Sequence, residues 1–340
     1  RMHNKSMVVD NRVAIVGGRN IADEYFGLDN EANFRDLELL LGGDVVQDVS
    51  AVFDDYWNNR WTFPIEALSH GSASAKQLAE ARRPTESVPQ VHAELSNEEL
   101  VAKWLEVVAG ADTGDALLYA DDPPEDNPKS AEDAPVQVAN ELIRLFDDAE
   151  SEIVIVSAYL IPTLHLEGAV ERALDRGVRV RILTNSIASN NHLTAHAAYR
   201  NHIGTLLDHG AELHEVRTDA RDRSRYMLEP IDRKKLALHA KALIIDFDKV
   251  FVGSVNLDPR SLRMNTEMGF LIVSDQFNRK LRLAVEDDFS TANAWHLELQ
   301  EDGRVFWVAD DKTLESQPAT SFMQRIEDWF FSNLPIEGEL

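Results

Sequence analysis

Apolar positions between residues 150 and 210 change period in a regular way. Ile153-Val-Ile-Val-Ser-Ala-Tyr-Leu160 is β-branched and nearly continuous, the pattern of a strand buried on both faces. Helical spacing follows from about Leu166 to Asp175 and stops at Gly177. Val178 to Thr184 reads as a second strand, and Leu193 to Leu207 as a second helix ending near Gly210. Strands alternating with helices predict an α/β fold with a mixed, mostly parallel sheet covered by helices. Farther on, Gly269 to Ser274 predicts a strand and Phe277 to Phe289 a helix. Trp295 to Gln300 and Val305 to Val308 predict a hairpin turning at Gly303. Near the end, Ser321 and Gln324 offer a capping box to a helix. In it Phe322, Ile326, Trp329 and Phe330 recur at helical spacing before Pro335. That stripe predicts a helix docked on the core, with a membrane-surface helix as the rival reading.

The first half is less regular. Phe34 to Val46 reads as a strand starting at Asp36, Phe53 to Trp61 as an aromatic-rich helix end, and residues 71–115 as polar helix with loops. Ala120 to Pro135, with four prolines and many acids, reads as a linker. The opening residues nevertheless repeat a stretch of the second half. His3-Asn-Lys5-Ser-Met-Val-Val-Asp10 with Gly17-Gly18-Arg19-Asn20 aligns without a gap on His239-Ala-Lys241-Ala-Leu-Ile-Ile-Asp246 with Gly253-Ser254-Val255-Asn256. Six of the 18 aligned positions are identical, and most others exchange one apolar residue for another. A duplication carrying one polar constellation twice implies a single active site built from two halves. The division expected is a first repeat at 1–119, a linker at 120–135, a second repeat at 136–290, and a C-terminal hairpin and amphipathic helix at 291–340. About a hundred residues of strand–helix pattern precede His239 and nothing comparable precedes His3, which predicts a fragment lacking the front of its first repeat.

Composition narrows the chemistry. With no cysteine there are no disulfides and no thiolate metal sites. A net charge of −25 argues against nucleic acid as a partner. No apolar run approaches the ~20 residues of a spanning helix.

Histidine and lysine two apart on a strand share a face, while the aspartate seven after the histidine lies on the other. Asp10 and Asp246 are therefore expected to support the motif strand, and His3, Lys5, His239 and Lys241 to face the substrate. Two lysines with Asn20 and Asn256 suit the non-bridging oxygens of one phosphodiester. Of two opposed imidazoles, one can attack phosphorus while the other protonates the departing oxygen and then activates the incoming hydroxyl. Each needs an acceptor on its other ring nitrogen. Glu267, 28 residues after His239, and Asp36, 33 after His3, are the candidates, each for the histidine of its own half.

These residues resemble the phospholipase D superfamily, whose signature HxKxxxxD with GSxN is repeated. Tyr56-Trp57-Asn58, Thr184-Asn185-Ser186, His196 with Tyr199, Asn256-Leu-Asp-Pro-Arg260-Ser261, Asn265-Thr-Glu267 and Leu334-Pro-Ile-Glu337 look like its bacterial cardiolipin synthase branch. Within the branch, Gly-Gly-Arg-Asn-Ile and Glu24-Tyr25-Phe26-Gly27 look most like the C-type synthases. The resemblance implies two phospholipase D-like repeats related by a pseudo-twofold, with the active site between them. It implies a phosphatidyltransferase making cardiolipin from phosphatidylglycerol and a second phospholipid, phosphatidylethanolamine being one candidate, through a phosphohistidine on His3 with His239 as acid and base. It places His196 and Tyr199 at a substrate channel, requires no cofactor or metal, and implies a bacterial protein peripheral on the inner membrane. A small protein partner is left open. Phospholipase D-type hydrolysis and an inactive lipid-binding fragment remain the alternatives, since hydrolase and synthase share every catalytic residue.

Two further features lie outside the repeated motif. His192 and His196 have the i, i+4 spacing of metal ligands, without a third partner in sequence. Arg217 to Lys235 concentrates seven cations among acids and reads as a flexible solvated loop, with lipid headgroup contact as the rival.

Overall fold

The continuous apolar runs become the centre of one large sheet. A computed structural model of the chain describes residues 1–68, 74, 76–77, 97–123, 137–335, 338 and 340. In order, its elements are β1 Ser6–Val9, β2 Val13–Gly17, β3 Ala32–Arg35, β4 Glu38–Gly42, α1 Val45–Trp57, α2 Ile65–Leu68, α3 Asn97–Ala109 and β5 Asp115–Ala120. Then come α4 Gln137–Asp148, β6 Glu152–Ser157, α5 Leu164–Asp175, β7 Arg179–Asn185, α6 Leu193–Tyr199, α7 Ile203–Asp208, β8 Glu212–Val216, β9 Lys235–Leu238, β10 Lys241–Ile245 and β11 Lys249–Gly253. The last are α8 Pro259–Arg263, β12 Met268–Val273, α9 Asp275–Glu286, β13 Ala294–Leu299, β14 Val305–Val308, β15 Thr313–Leu314 and α10 Phe322–Ser332.

Ten strands form the large sheet in the order β15-β14-β13-β8-β7-β6-β10-β11-β12-β5. The sheet is mixed, but the expectation of mostly parallel strands is corrected. Only β6-β7 and β7-β8 pair in parallel, where helices cross over, and the other seven pairings are antiparallel. Part of the reason lies in the β10–β11 connection, residues 246–248, which is too short for a parallel crossover.

Alternate residues of the central strands feed opposite layers. Ile153, Ile155, Leu243, Ile245 and Leu271 pack beneath α4, α5, α6 and α7. Val154, Val156, Ala242, Ile244 and Phe270 face Val16, Leu39 and Leu41 of the first repeat, Val46 and Val49 of α1, and Leu281 and Val285 of α9. Each large side chain fully buried here contributes about 1.5–3 kcal/mol.

The first-repeat strands form a three-stranded sheet, β1-β2-β4, in the register of the second repeat. Ser6↔Val16 recurs as Ala242↔Val252, and Val16↔Leu39 as Val252↔Phe270. The repeats also exchange strands. β3 pairs in parallel with β9, ending at Arg35↔Leu238, and the reciprocal bridge is Met2↔Thr266, also parallel. Such reciprocity is what a pseudo-twofold demands.

Two compact units divide the chain, one of residues 1–50 with 114–340 and one of residues 51–113. In the second, Leu100, Val101, Trp104 and Leu105 of α3 are exposed. Much of the expected linker, part of the expected 71–115 helical stretch, and Ile336 and Glu337 lie outside the described residues.

Three sequence expectations change locally. The strand foreseen from Asp36 to Val46 ends at Gly42, because Gly43 takes φ +87° and turns the chain into α1. The helix foreseen from Leu193 to Leu207 breaks into α6 and α7, where Asn201 N and His202 N tighten onto the carbonyls three residues back. The basic loop is pinned rather than solvated. Arg217 is buried against Asp219, Asp310 and Asp311, Arg221 meets Asp310, Arg225 meets Asp287, and buried Lys234 donates to the Gly27 carbonyl. No helix among the described residues is long and apolar enough to cross a membrane.

Candidate active site

Each motif histidine is held by the other repeat. His239 N donates to the Arg35 carbonyl at 2.8 Å, and His3 N to the Thr266 carbonyl at 2.9 Å, through the exchanged strands. The next residue along each exchanged strand is an acid, so the backbone pairing delivers a carboxylate to the opposite imidazole. His239 Nδ1 lies 2.8 Å from Asp36, and His3 Nδ1 lies 2.8 Å from Glu267. Both carboxylates are fully buried. The expectation that each acid serves the histidine of its own half is thereby corrected, since the pseudo-twofold crosses the pairs. With both Nδ1 atoms engaged, each ring keeps Nε2 for chemistry.

Gly18 and Ser254 show two ways of packing the acid. In the second repeat Ser254 Oγ donates to Glu267 at 2.5 Å. In the first, a Cβ on Gly18 would meet Asp36 Oδ1 at 2.6 Å, so the shorter acid fills the space a serine would need. Gly-Gly-Arg-Asn in place of Gly-Ser-x-Asn is therefore coupled to Asp36 in place of a glutamate.

The lysines sit behind the imidazoles. Lys5 Nζ donates to the His3 carbonyl at 2.8 Å and Lys241 Nζ to the His239 carbonyl at 2.5 Å. Burial and then the charge of Lys241 lower Lys5 to about 8, against the pull of Glu267 and Asp36. Burial lowers Lys241 to about 8 despite Asp36, Glu267 and Asp258. His239 falls to about 4, by burial first and Lys241 second, with Asp36 opposing. Burial is the first cause in all three, and a phosphodiester anion entering the cleft would raise each group.

Asn20 and Asn256 line the same cleft, of about 530 Å³, as His3 and His239. Asn256 Oδ1 is buried without a hydrogen-bond partner, while Asn20 donates to the Tyr25 hydroxyl at 2.8 Å. That hydroxyl stands 3.3 Å from His239 Nε2, and Tyr25 packs edge-on against the ring. Tyr25 is a site residue that sequence reasoning used only for resemblance; its one signal was its place five residues after Asn20. Asp258 was missed likewise. It lines the cleft, caps α8 by accepting from Ser261 N, and is raised to about 6 by burial first. Asp121, inside the expected linker, accepts from Glu267 N at 2.8 Å and from Val138 N at 3.0 Å, tying the acid to the start of α4.

The motif aspartates stay out of the cleft. Asp246 accepts from Ser151 N at 2.7 Å, Ser151 Oγ at 2.9 Å and Glu152 N at 3.2 Å, fastening β10 to the start of β6. Burial would raise its carboxyl, but these donors more than offset that and hold it low. Asp10 has the same positive φ, 52° against 49°, and is exposed. His196 and Tyr199 do not reach the cleft. They lie under α6, fully or almost fully buried, with His196 Nδ1 at 2.7 Å from Asp328 of α10. His192, Thr194 and Ala195 of the same segment line the cleft instead. His192 and His196 therefore serve different surroundings, and no group of three His, Cys, Asp or Glu suited to a metal occurs among the described residues.

Residues 142–289 match a family described as cardiolipin synthase, PLD-like domain. Cardiolipin synthase C of Escherichia coli is 33% identical over 360 residues, covering 99% of this chain and 72% of that protein. Cardiolipin synthase 2 of Bacillus anthracis is 27% identical over 299 residues, which is 88% of this chain but 47% of its own length. The solved structure of phosphatidylserine synthase from Haemophilus influenzae superposes with a TM-score of 0.57 over 87% of this chain and 63% of that one. At 14% identity it shows the fold alone.

Proposed function

The chain belongs to the cardiolipin synthase family of phospholipase D-like proteins, and from that premise we propose that it is a phosphatidyltransferase joining two phospholipids into cardiolipin at a membrane surface. The crosswise histidine–carboxylate pairs support this reading best. They engage Nδ1 of both rings and leave the two Nε2 atoms for chemistry at one cleft, that of His239 beside the Tyr25 hydroxyl, with two lysines behind, which is what double displacement at a phosphodiester requires.

In the proposed sequence His3 Nε2 attacks the phosphorus of a donor phospholipid. The headgroup oxygen leaves with a proton from His239, and a phosphatidyl-histidine remains. The glycerol hydroxyl of phosphatidylglycerol then gives its proton back to His239 and attacks phosphorus, which frees His3. Lys5, Lys241, Asn20 and Asn256 hold the non-bridging oxygens. The incoming anion raises His239 from about 4 towards the range where it can carry that proton. Asp36 and Glu267 orient the rings, and Asp10 and Asp246 secure the motif strands. The resemblance places phosphatidylethanolamine beside phosphatidylglycerol as donor.

The test is to incubate the chain with phosphatidylglycerol vesicles, with and without phosphatidylethanolamine, and to identify products by lipid mass spectrometry. Cardiolipin that disappears in His239→Ala is expected. Phosphatidic acid alone would make the protein a hydrolase, and no lipid change would overturn both. Two in-line displacements also predict retained configuration at a chiral phosphorus, and inversion would exclude the covalent route.

A further inference from the structure

α10 is docked inside out. On a helical wheel Gln324, Asp328 and Phe331 share the face turned to the protein. Asp328 is fully buried and accepts from His196 and Arg200, while Gln324 Nε2 donates to the Ile187 carbonyl. The opposite face carries Phe322, Met323, Ile326, Trp329 and Phe330, which are 74%, 59%, 42%, 58% and 54% exposed. The expectation that this stripe docks on the core is thus reversed, because the buried carboxylate, and not the aromatic rings, anchors the helix. Ser321 still caps it, accepting from Gln324 N at 3.1 Å, while the Gln324 side chain takes the Thr320 amide.

Two observations say what would cover the stripe. First, Trp329 and Arg325 border a cleft of about 380 Å³ in which Arg200 is paired with Asp328, and Arg304 with Asp302 and Glu315, so that Arg325 is the guanidinium left to meet an outside anion. Arg325 makes a hydrogen bond to the Gln317 carbonyl and no ion pair among the described residues. In a chain of net charge −25, that one cation beside the aromatic stripe complements an anionic headgroup. Second, α10 packs on α6, whose N-terminal end lines the catalytic cleft, so the stripe lies one helix away from the histidines.

We propose that α10 is the membrane-docking element of this protein. Its apolar stripe enters the interfacial layer of an anionic phospholipid bilayer, with Trp329 and Phe330 at headgroup depth and Arg325 on a lipid phosphate. This rests on the phosphatidyltransferase reading for why the cleft must meet a bilayer, and its test needs no turnover.

The full 340-residue chain is floated with vesicles of phosphatidylcholine, with and without phosphatidylglycerol. Binding is expected only with the anionic lipid. Ile326→Ser with Trp329→Ser should weaken it ~tenfold or more, and Arg325→Gln about fivefold, at unchanged melting temperature. Phe247→Ser removes an equally exposed ring elsewhere and should change nothing. On a water-soluble short-chain substrate the double variant should turn over like the parent. A parent chain that does not float, or a double variant that floats like the parent, would overturn the proposal. So would a double variant that dissociates an oligomer while still floating, since the stripe would then be a protein interface. Vesicle binding that behaves as expected without lipid products would leave α10 in its role and remove the phosphatidyltransferase instead.

Discussion

His239 is kept neutral by its surroundings, and so is His214, which burial, His296 and Arg181 lower to about 4. An unfolded histidine takes its proton near pH 6.5. At these two sites the unfolded chain therefore binds more protons than the folded one between pH 6.5 and 4, and their contribution to stability falls as pH drops through that window. Each histidine contributes about 3 kcal/mol to the fall. Burial raises Asp121 and Asp258 to about 6 and Glu215 to about 8, which stabilises the folded chain as pH drops and opposes the histidines, so the test is comparative. The melting temperature of the parent should fall relative to that of His214→Phe between pH 7 and pH 4, and a constant difference would refute the neutral-histidine description. The lysines have the opposite consequence for ligand binding. Lys5 and Lys241 at about 8 are partly deprotonated at pH 8–9, and an anion in the cleft raises them. Binding of a phosphodiester there should take up protons, measured by calorimetry in two buffers of different ionisation heat. A buffer-independent heat would contradict it.

At the scale of elements, the turn holding Gly18 and the loop holding Asp36 act as one unit. Gly18→Ser drives a side chain into Asp36, which displaces the acceptor of His239. We expect turnover to fall on the order of a hundredfold, as for loss of an oriented acid–base group. Adding Asp36→Glu rebuilds the serine–glutamate arrangement of the second repeat and should restore most of it. If the double variant is as poor as the single, the two repeats do not share this packing logic. Asp246 belongs to the same scale and to a different property. Asp246→Ala leaves the amides of Ser151 and Glu152 without their acceptor and should cost about 2–3 kcal/mol in denaturant unfolding, with little change in KM.

For the whole molecule, the crossed pairs predict which steps each acid controls. In the proposed mechanism Glu267→Gln weakens His3 and should slow formation of trapped phosphohistidine. Asp36→Asn weakens His239, which acts in both half-reactions, so release of the label should slow as well as its formation. Rapid-quench labelling separates the two, and the reverse result would exchange the roles of the histidines. Either variant reads out contact between halves, because His3 and Glu267 are 264 residues apart and Asp36 and His239 are 203.

Much of this was legible in residue order. Period marked β6, α5, β7, β12 and the β13–β14 hairpin to within a few residues, because burial on one or two faces writes itself into local spacing. The duplicated motif named the histidines, lysines and asparagines, since two copies of one polar pattern in register need a shared purpose. Local spacing could not say that the acids cross, that Tyr25 and Asp258 join the cleft, or that His196 turns away from it. Nor could it say which face of α10 is docked. The apolar stripe was plain in the sequence, but a buried Asp328 meeting His196 and Arg200 reverses it, and that depends on partners more than a hundred residues away. Local periodicity fixes which faces an element has, and only tertiary pairing decides which of them is turned inward.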